Sequence, residues 1–262
     1  MKLSAHTVEK PWGRSELPPQ FTSPSNGTRI GEVWFEAPDG RQLPLLVKYI
    51  FTSERLSVQV HPNDAQARAR GLPNGKTECW YILDAEEGAT LALGFRQEVD
   101  EEALRAAALD GSIETLLDWK PVRAGDFFYV PANTVHAIGA GISLIEVQQQ
   151  SDTTYRLYDY GRPRELHLDD GLALSNRGPY PDELLTHVEP GATRTLVPGP
   201  HFTLVYVEGQ PELIAAQDRF AIPLRGTASA GGDEAAPGHC LFVPEGTPLS
   251  AGEDAALLVA AL

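Results

Sequence analysis

What most constrains the fold of this chain is a series of short β-rich runs cut by turn residues. VWFEA, LPLLVKYIF, RLSVQV, CWYIL, TLALGF, DFFYVP, SLIEVQQ, TYRLYDY, FTLVYVE and CLFVP recur along 262 residues, bounded by Gly, Pro, Asn and Asp. β-Branched and aromatic residues suit pleated strands, and those four residues close them. This spacing predicts a mainly β chain folded as a barrel or sandwich. One segment differs. Residues 100–119, DEEALRAAALDGSIETLLDW, begin on Asp, carry acids in the first turn and space their apolar residues as a helix does. They predict two short helices broken at Gly111 and inserted between strands. A weaker helix is expected after His61, from Asn63 to Arg70.

Four polar residues stand out from this background. Gln59 and His61 lie in LSVQVHPND, Glu78 in GKTECWYIL and His136 in GDFFYVPANTVHAIG. Strand side chains alternate, so the Gln-x-His pair shares one face. If Glu78 and His136 reach the same interior from two further strands, two imidazoles, a carboxylate and an amide oxygen make a mixed site for a borderline divalent ion such as zinc. Such a set leaves room for a substrate oxygen, as catalytic metal sites do. A lone histidine in an apolar strand is more often a hydrogen-bonded core residue; the grouping argues for metal. Cys79, next to Glu78, points to the opposite face and reads as a small core residue.

Composition narrows the classes. The net charge of −15 argues against a nucleic-acid partner and against an anionic membrane. It leaves open a small anionic substrate, because a few Lys and Arg focused in a cleft attract a phosphate from an acidic surface. No run of 18 apolar residues occurs, and MKLSAHTVEKPWG lacks the apolar core of a secretory signal. With only Cys79 and Cys240, the expectation is a chain of the reducing cytoplasm.

A faint repeat is also present. GDFFYVPANTVH, residues 125–136, lies on GHCLFVPEGTPL, residues 238–249, with glycine, the apolar run, Val-Pro and Thr in common. His136 meets Leu249. This predicts a duplicated unit whose second copy has no metal site. The Pro-, Gly- and polar-rich stretch from Leu174 to Pro200 reads as the connection between the two.

The GDFFYVPANTVH segment and QVHP resemble the two metal motifs of cupin barrels. Longer motifs are more specific: KPWG at 10–13, GEVW at 31–34, PLLVK at 44–48, LSVQVHP at 56–62, GKTECWY at 75–81, QQQSDTTYRLYDY at 148–160 and RELH at 164–167. Together they resemble type I mannose-6-phosphate isomerases in the short bacterial form, over about two thirds of the chain. The resemblance implies two cupin-like, jelly-roll β-barrels with a helical insertion. The expected boundaries are a metal-binding barrel over 1–173, a connection over 174–200 and a second, degenerate barrel over 201–262 that may share N-terminal strands.

The same resemblance implies interconversion of mannose 6-phosphate and fructose 6-phosphate with one zinc ion per chain. Gln59, His61, Glu78 and His136 are its implied ligands, Gln59 being the one that the shortest bacterial members are often described without. Arg156 and Lys76 match active-site positions, Glu146 matches a carboxylate proposed as base, and Lys48 and Ser57 match positions near the substrate phosphate. Aldose–ketose isomerisation through a cis-enediol needs a base over C1 and C2, an electrophile on the neighbouring oxygens and a handle that orients the sugar.

Two readings of Glu146 stand side by side, proton-transfer base or buried partner of Arg156. Arg162 and Arg164, in the GRPRE loop, read as solvated, and KPWG as packing against the barrel. Two other functions compete. A 2-His-1-carboxylate cupin oxygenase would use the same ligands, and a non-catalytic sugar-phosphate binder would keep the pocket. The oligomeric state is left open.

Overall fold

A computed structural model describes residues 1–209 and 217–262. The chain is mainly β, arranged as two pairs of sheets. The largest sheet has seven strands in the order β1 (Ser4–Arg14), β2 (Ile30–Glu36), β3 (Leu45–Phe51), β10 (Ile142–Gln149), β5 (Glu78–Ala85), β8 (Asp126–Val130) and β12 (Leu185–His187). Facing it are β11 (Tyr155–Tyr158), β4 (Val58–Val60), β9 (His136–Ile138), β6 (Thr90–Phe95) and β7 (Leu117–Pro121). The second pair comprises β13 (Arg194–Pro198), β14 (Thr203–Glu208), β20 (Ala256–Ala261), β15 (Arg219–Arg225) and β18 (Leu241–Val243), with a smaller sheet of β17 (Asp233–Ala235), β16 (Ala228–Ala230) and β19 (Ser250–Ala251).

The seven-stranded sheet is covered on both faces, and this explains its sequence. Every residue of β3 and β10 is buried. One face packs Phe35, Val47, Tyr49, Phe51 and Val147 against Phe202, Leu204, Phe220 and Leu258 of the second pair. The other face lines the interior of the first pair. Strands buried on both sides read as continuous apolar runs rather than alternating ones. Of the polar residues in LLVKYIF and ISLIEVQQ, Lys48, Glu146 and Gln148 mark the functional face, while Ser143 and Gln149 alternate to the other side of β10. Register sets them in rows: Trp34, Lys48, Glu146, Trp80 and Phe128 are cross-strand neighbours, and Gln148 lies opposite Glu78.

The helices fall where the sequence puts them. α2 (Glu101–Asp110) is capped by Asp100, whose Oδ1 accepts the Ala103 N–H at 2.8 Å, and stops at Gly111 with φ 85°. α3 (Ile113–Leu116) follows, but the chain turns to strand at Leu117 rather than staying helical to Trp119. Sheet pairing of Ala92 with Trp119 outweighs the weak helical pattern there. Leu104, Ala107, Ala108 and Ile113 cover the outer face of the five-stranded sheet, together with Leu172 and Leu174 of α4 (Leu168–Leu174). α1 (Asp64–Ala69) starts with a reciprocal cap between Asn63 and Gln66.

The stretch read as a connection has structure of its own: β12 extends the seven-stranded sheet and β13 begins the second pair. The N-terminus joins the two, since Leu3 N–H donates to Cys240 O and Phe242 N–H to Met1 O, both at 2.9 Å. Both cysteines are free and buried. Among the described residues no helix is long and apolar enough to cross a membrane.

Candidate metal centre and active site

Glu78 comes from the seven-stranded sheet, Gln59 and His136 from the facing one, where they pair in register, and His61 from the residue just after β4. His61, Glu78 and His136 are each at most 2% exposed, and their nearest ligand atoms all lie within 4.8 Å of one another. His61 Nε2 is 3.6 Å from Glu78 Oε2, and His136 Nε2 is 3.5 Å from Glu78 Oε1. Those edges are close to the roughly 3.3 Å edge of a tetrahedron with metal–ligand bonds of about 2.0–2.1 Å.

Backbone carbonyls orient both rings. His61 Nδ1 is 2.9 Å from Thr153 O, and His136 Nδ1 is 2.9 Å from Thr134 O. A protonated Nδ1 leaves each Nε2 unprotonated and turned inward, the arrangement that metal-ligating histidines adopt. Burial, and for His61 the nearby Lys76 charge, pushes both imidazoles down, His136 to about 4, so both are neutral near pH 7. Burial and the neighbouring Glu146 push the Glu78 carboxyl up to about 7. Glu78 Oε1 is fully buried and accepts no hydrogen bond. Lys76 meets Glu78 Oε2 and His61 Nε2, but Oε1, 3.5 Å from the unprotonated His136 Nε2, has no donor, a costly arrangement unless a further cation completes it. The donor set therefore fits zinc.

The loop geometry is specific. Asn133, with φ 73°, donates its backbone N–H to His61 O at 2.8 Å and its side-chain amide to Gln66 Oε1 at 2.7 Å. A left-handed position is one that Asn tolerates better than most residues. It ties the turn before His136 to the segment carrying His61.

Gln59 Oε1 accepts the Ser57 hydroxyl at 3.0 Å, and its Nε2 lies 3.2 Å from His136 Nε2. It thus presents nitrogen to the cluster; rotating the amide by about 180° would present oxygen instead. Lys76 Nζ sits 3.2 Å from His61 Nε2 and 3.1 Å from Glu78 Oε2. Lys48 Nζ pairs with Glu146 Oε1 at 2.8 Å, and the Trp80 indole N–H donates to Glu146 Oε2 at 3.0 Å. Despite burial, the Lys48 and Lys76 charges hold the Glu146 carboxyl below its usual range. Glu146 is thus a buried partner, but of Lys48 and not of Arg156.

These groups open onto a cavity of about 240 Å³ whose wall includes Lys48, Ser57, Gln59, Lys76, Glu146 and Arg156. Arg156 donates from Nη1 to Glu165 O at 2.7 Å, while its buried Nε has no hydrogen-bond partner. Five cations line the wall, and four pair with carboxylates: Lys10 with Glu32, Lys48 with Glu146, Lys76 with Glu78 and Arg164 with Asp159. Among the described residues no carboxylate lies within salt-bridge reach of Arg156.

The sequence reading missed part of this wall. KPWG does not merely pack: Lys10 and Trp12 line the cavity. So does Arg164, which the loop composition had placed in solvent. Glu32, at 6% exposure, is also in the wall; its Oε2 accepts the Trp34 indole N–H at 2.7 Å and meets Lys10 Nζ at 3.4 Å. The available signal was a charge inside the apolar strand IGEVWF.

No family model matches the chain. Mannose-6-phosphate isomerase of Streptococcus mutans is 48% identical over 135 residues, 49% of this chain and 42% of that protein. Mannose-6-phosphate isomerase ManA of Bacillus subtilis is 40% identical over 194 residues, 68% of this chain and 61% of that protein. YvyI of the same strain, which carries the mannose-6-phosphate isomerase name, is 36% identical over 233 residues, 82% of this chain and 71% of that protein. The chain belongs to the mannose-6-phosphate isomerase family. Its matches to the first two relatives span about half of their length. The crystal structure of the B. subtilis mannose 6-phosphate isomerase superposes with a TM-score of 0.82 at 27% identity, covering 100% of this chain and 99% of that one. A mannose 6-phosphate isomerase bound with zinc and yttrium shares the fold, with a TM-score of 0.76 at 19% identity over 99% of this chain and 98% of that one.

Proposed function

We propose that the protein is a zinc-dependent isomerase that interconverts mannose 6-phosphate and fructose 6-phosphate. The observation that carries this reading is the buried His61–Glu78–His136 cluster with its unsatisfied Glu78 oxygen, lying behind Gln59 and Lys76 of a cation-lined cavity wall. His61, Glu78 and His136 would hold one zinc ion, with Gln59 beside them. When bound, zinc would supply positive charge to polarise the oxygens on C1 and C2.

The remaining chemistry belongs to this chain's own residues. Glu146, kept ionised by Lys48 and held in place by Trp80, is the proton-transfer base between C2 and C1. Lys76, anchored between His61 and Glu78, donates toward the sugar oxygen whose charge changes as the enediol forms. Arg156 has charge to spare, because the other wall cations are committed to carboxylates, and it stabilises the enediolate. Ser57 and Lys48 take the phosphate end, Lys48 as a charge shared with Glu146. Burial of the cluster keeps water from the intermediate.

An assay of the zinc-loaded protein with mannose 6-phosphate beside free mannose tests this. The reading predicts fructose 6-phosphate and little reaction of the unphosphorylated sugar. Saturable binding of the phosphosugar without turnover, at full metal occupancy, would make the protein a sugar-phosphate binder instead.

A further inference from the structure

Asp64, the first residue of α1, lies outside the cavity wall yet joins three segments that carry the site, those of His61, of Lys76 and Glu78, and of Glu146. Its Oδ1 accepts the Gly75 backbone N–H at 2.8 Å and the Gln149 side-chain N–H at 3.0 Å. Gln149 in turn accepts the Thr77 N–H on Oε1 at 2.9 Å, and its own N–H donates to Thr77 O at 3.1 Å. The backbone on both sides of Lys76 therefore hangs from one carboxylate oxygen, directly or through Gln149. Lys76 N–H itself donates to Pro62 O at 2.9 Å, one residue after His61. Packing leaves no slack: a Cβ on Gly75 would come within 2.5 Å of the Asn63 backbone.

The other oxygen of Asp64 faces the second pair of sheets. His201, in the turn between β13 and β14, places Nδ1 3.6 Å from Asp64 Oδ2. The next residue, Phe202, packs edge-on against Tyr129 of β8 with ring centroids 6.4 Å apart. This turn thus presses on the site's scaffold at two points.

We propose that Asp64 is a positioning residue that sets Lys76 and Glu78 against His61, and that His201 steadies it from the second pair of sheets. Its turnover readout rests on the isomerase reading; its metal readout does not. A group that orients metal ligands from outside typically changes affinity or activity by about 10–100-fold when removed.

The test measures zinc affinity, by competition with a chromophoric chelator, and steady-state kcat and KM at saturating zinc. Asp64→Ala should weaken zinc binding about ten-fold or more and lower kcat by a similar factor, with KM changed less. Asp64→Asn keeps an oxygen for Gly75 and Gln149, so it should recover most of both. Gln149→Ala should follow Asp64→Ala. His201→Ala should resemble Asp64→Asn, and combining the two should add little.

Wild-type zinc affinity in a folded Asp64→Ala variant overturns the proposal, and so does an Asp64→Asn variant as damaged as the alanine one. A His201→Ala variant with affinity and kcat both unchanged removes the second pair of sheets from it. If Asp64→Ala does not fold, Asp64→Asn and Gln149→Ala decide. If the wild type does not isomerise mannose 6-phosphate, the isomerase reading fails while the zinc affinities still judge the positioning role.

Discussion

Each pair of sheets holds a strand–turn–strand unit, and the two are filled differently. In the first, GDFFYVPANTVH ends on His136, buried among Gln59, His61, Glu78 and Lys76. In the second, GHCLFVPEGTPL ends on Leu249, completely buried with Val207, Leu241, Val243 and Leu257. Among the described residues the second interior is apolar but for Arg219, which is 2% exposed and donates to Thr247 O, so this framework closes with far fewer buried charges. The polar interior of the first is therefore surplus to folding: desolvating three carboxylates, two lysines and two imidazoles costs free energy that apolar residues would not. Groups kept at that cost, with one oxygen unpartnered, point to function.

Four outcomes would sharpen or break the contrast. The largest effect is expected from His136→Ala, which should lose stoichiometric zinc and nearly all activity while the chain still folds. Circular dichroism, metal analysis and a coupled assay check it; a folded variant that keeps tight zinc would break the ligand assignment. Next is Arg156→Ala, expected to lower kcat about 100-fold or more with a smaller rise in KM. Arg156→Lys restores charge without the planar fork and should recover part of the rate. An intact kcat with only KM raised would move Arg156 to ground-state binding of the phosphate.

The third concerns the apolar half. Leu249→Ala should cost about 2–5 kcal/mol in denaturant unfolding by opening a cavity, with zinc content unchanged in the folded protein. Loss of zinc from that folded variant would erase the division between the halves. The smallest effect is a pH term. Burial alone would raise the Glu32 carboxyl, but Lys48, Lys10 and the Trp34 indole together hold it below its usual value of 4.5. A carboxyl lowered in the folded state contributes stability above the unfolded value, and that contribution is lost as pH falls through the folded one. Glu32→Gln should therefore flatten the fall in Tm on acidification below about pH 4.5. Parallel Tm–pH curves for the two proteins would contradict it.

Much of this division was legible before any coordinates. The strand runs and the insertion broken at Gly111 follow local rules of alternation and capping, and the grouping of His61, Glu78 and His136 was legible from the motifs that carry them. Leu249 against His136 showed where the copies differ. The partner of Glu146 was not legible: whether it meets Arg156 or Lys48 depends on the register of β10 against β3, which no local pattern specifies. For the same reason Lys10 and Trp12 looked like packing. Their place in the wall depends on β1 pairing with β2 through register shifts at Val8/Glu9 and Glu9/Arg14. Arg164 was misread because a Pro- and charge-rich loop looks solvated until Asp159, buried beneath it, fixes the guanidinium.

The central claim is that one half of the molecule holds the metal and the other holds none. Metal analysis of the purified wild type beside a His61→Ala/His136→Ala double variant, after zinc loading and exhaustive dialysis, tests it most directly. The account predicts one zinc per chain in the wild type and none in the folded variant. A tightly bound zinc that survives both substitutions would place the metal elsewhere and contradict it.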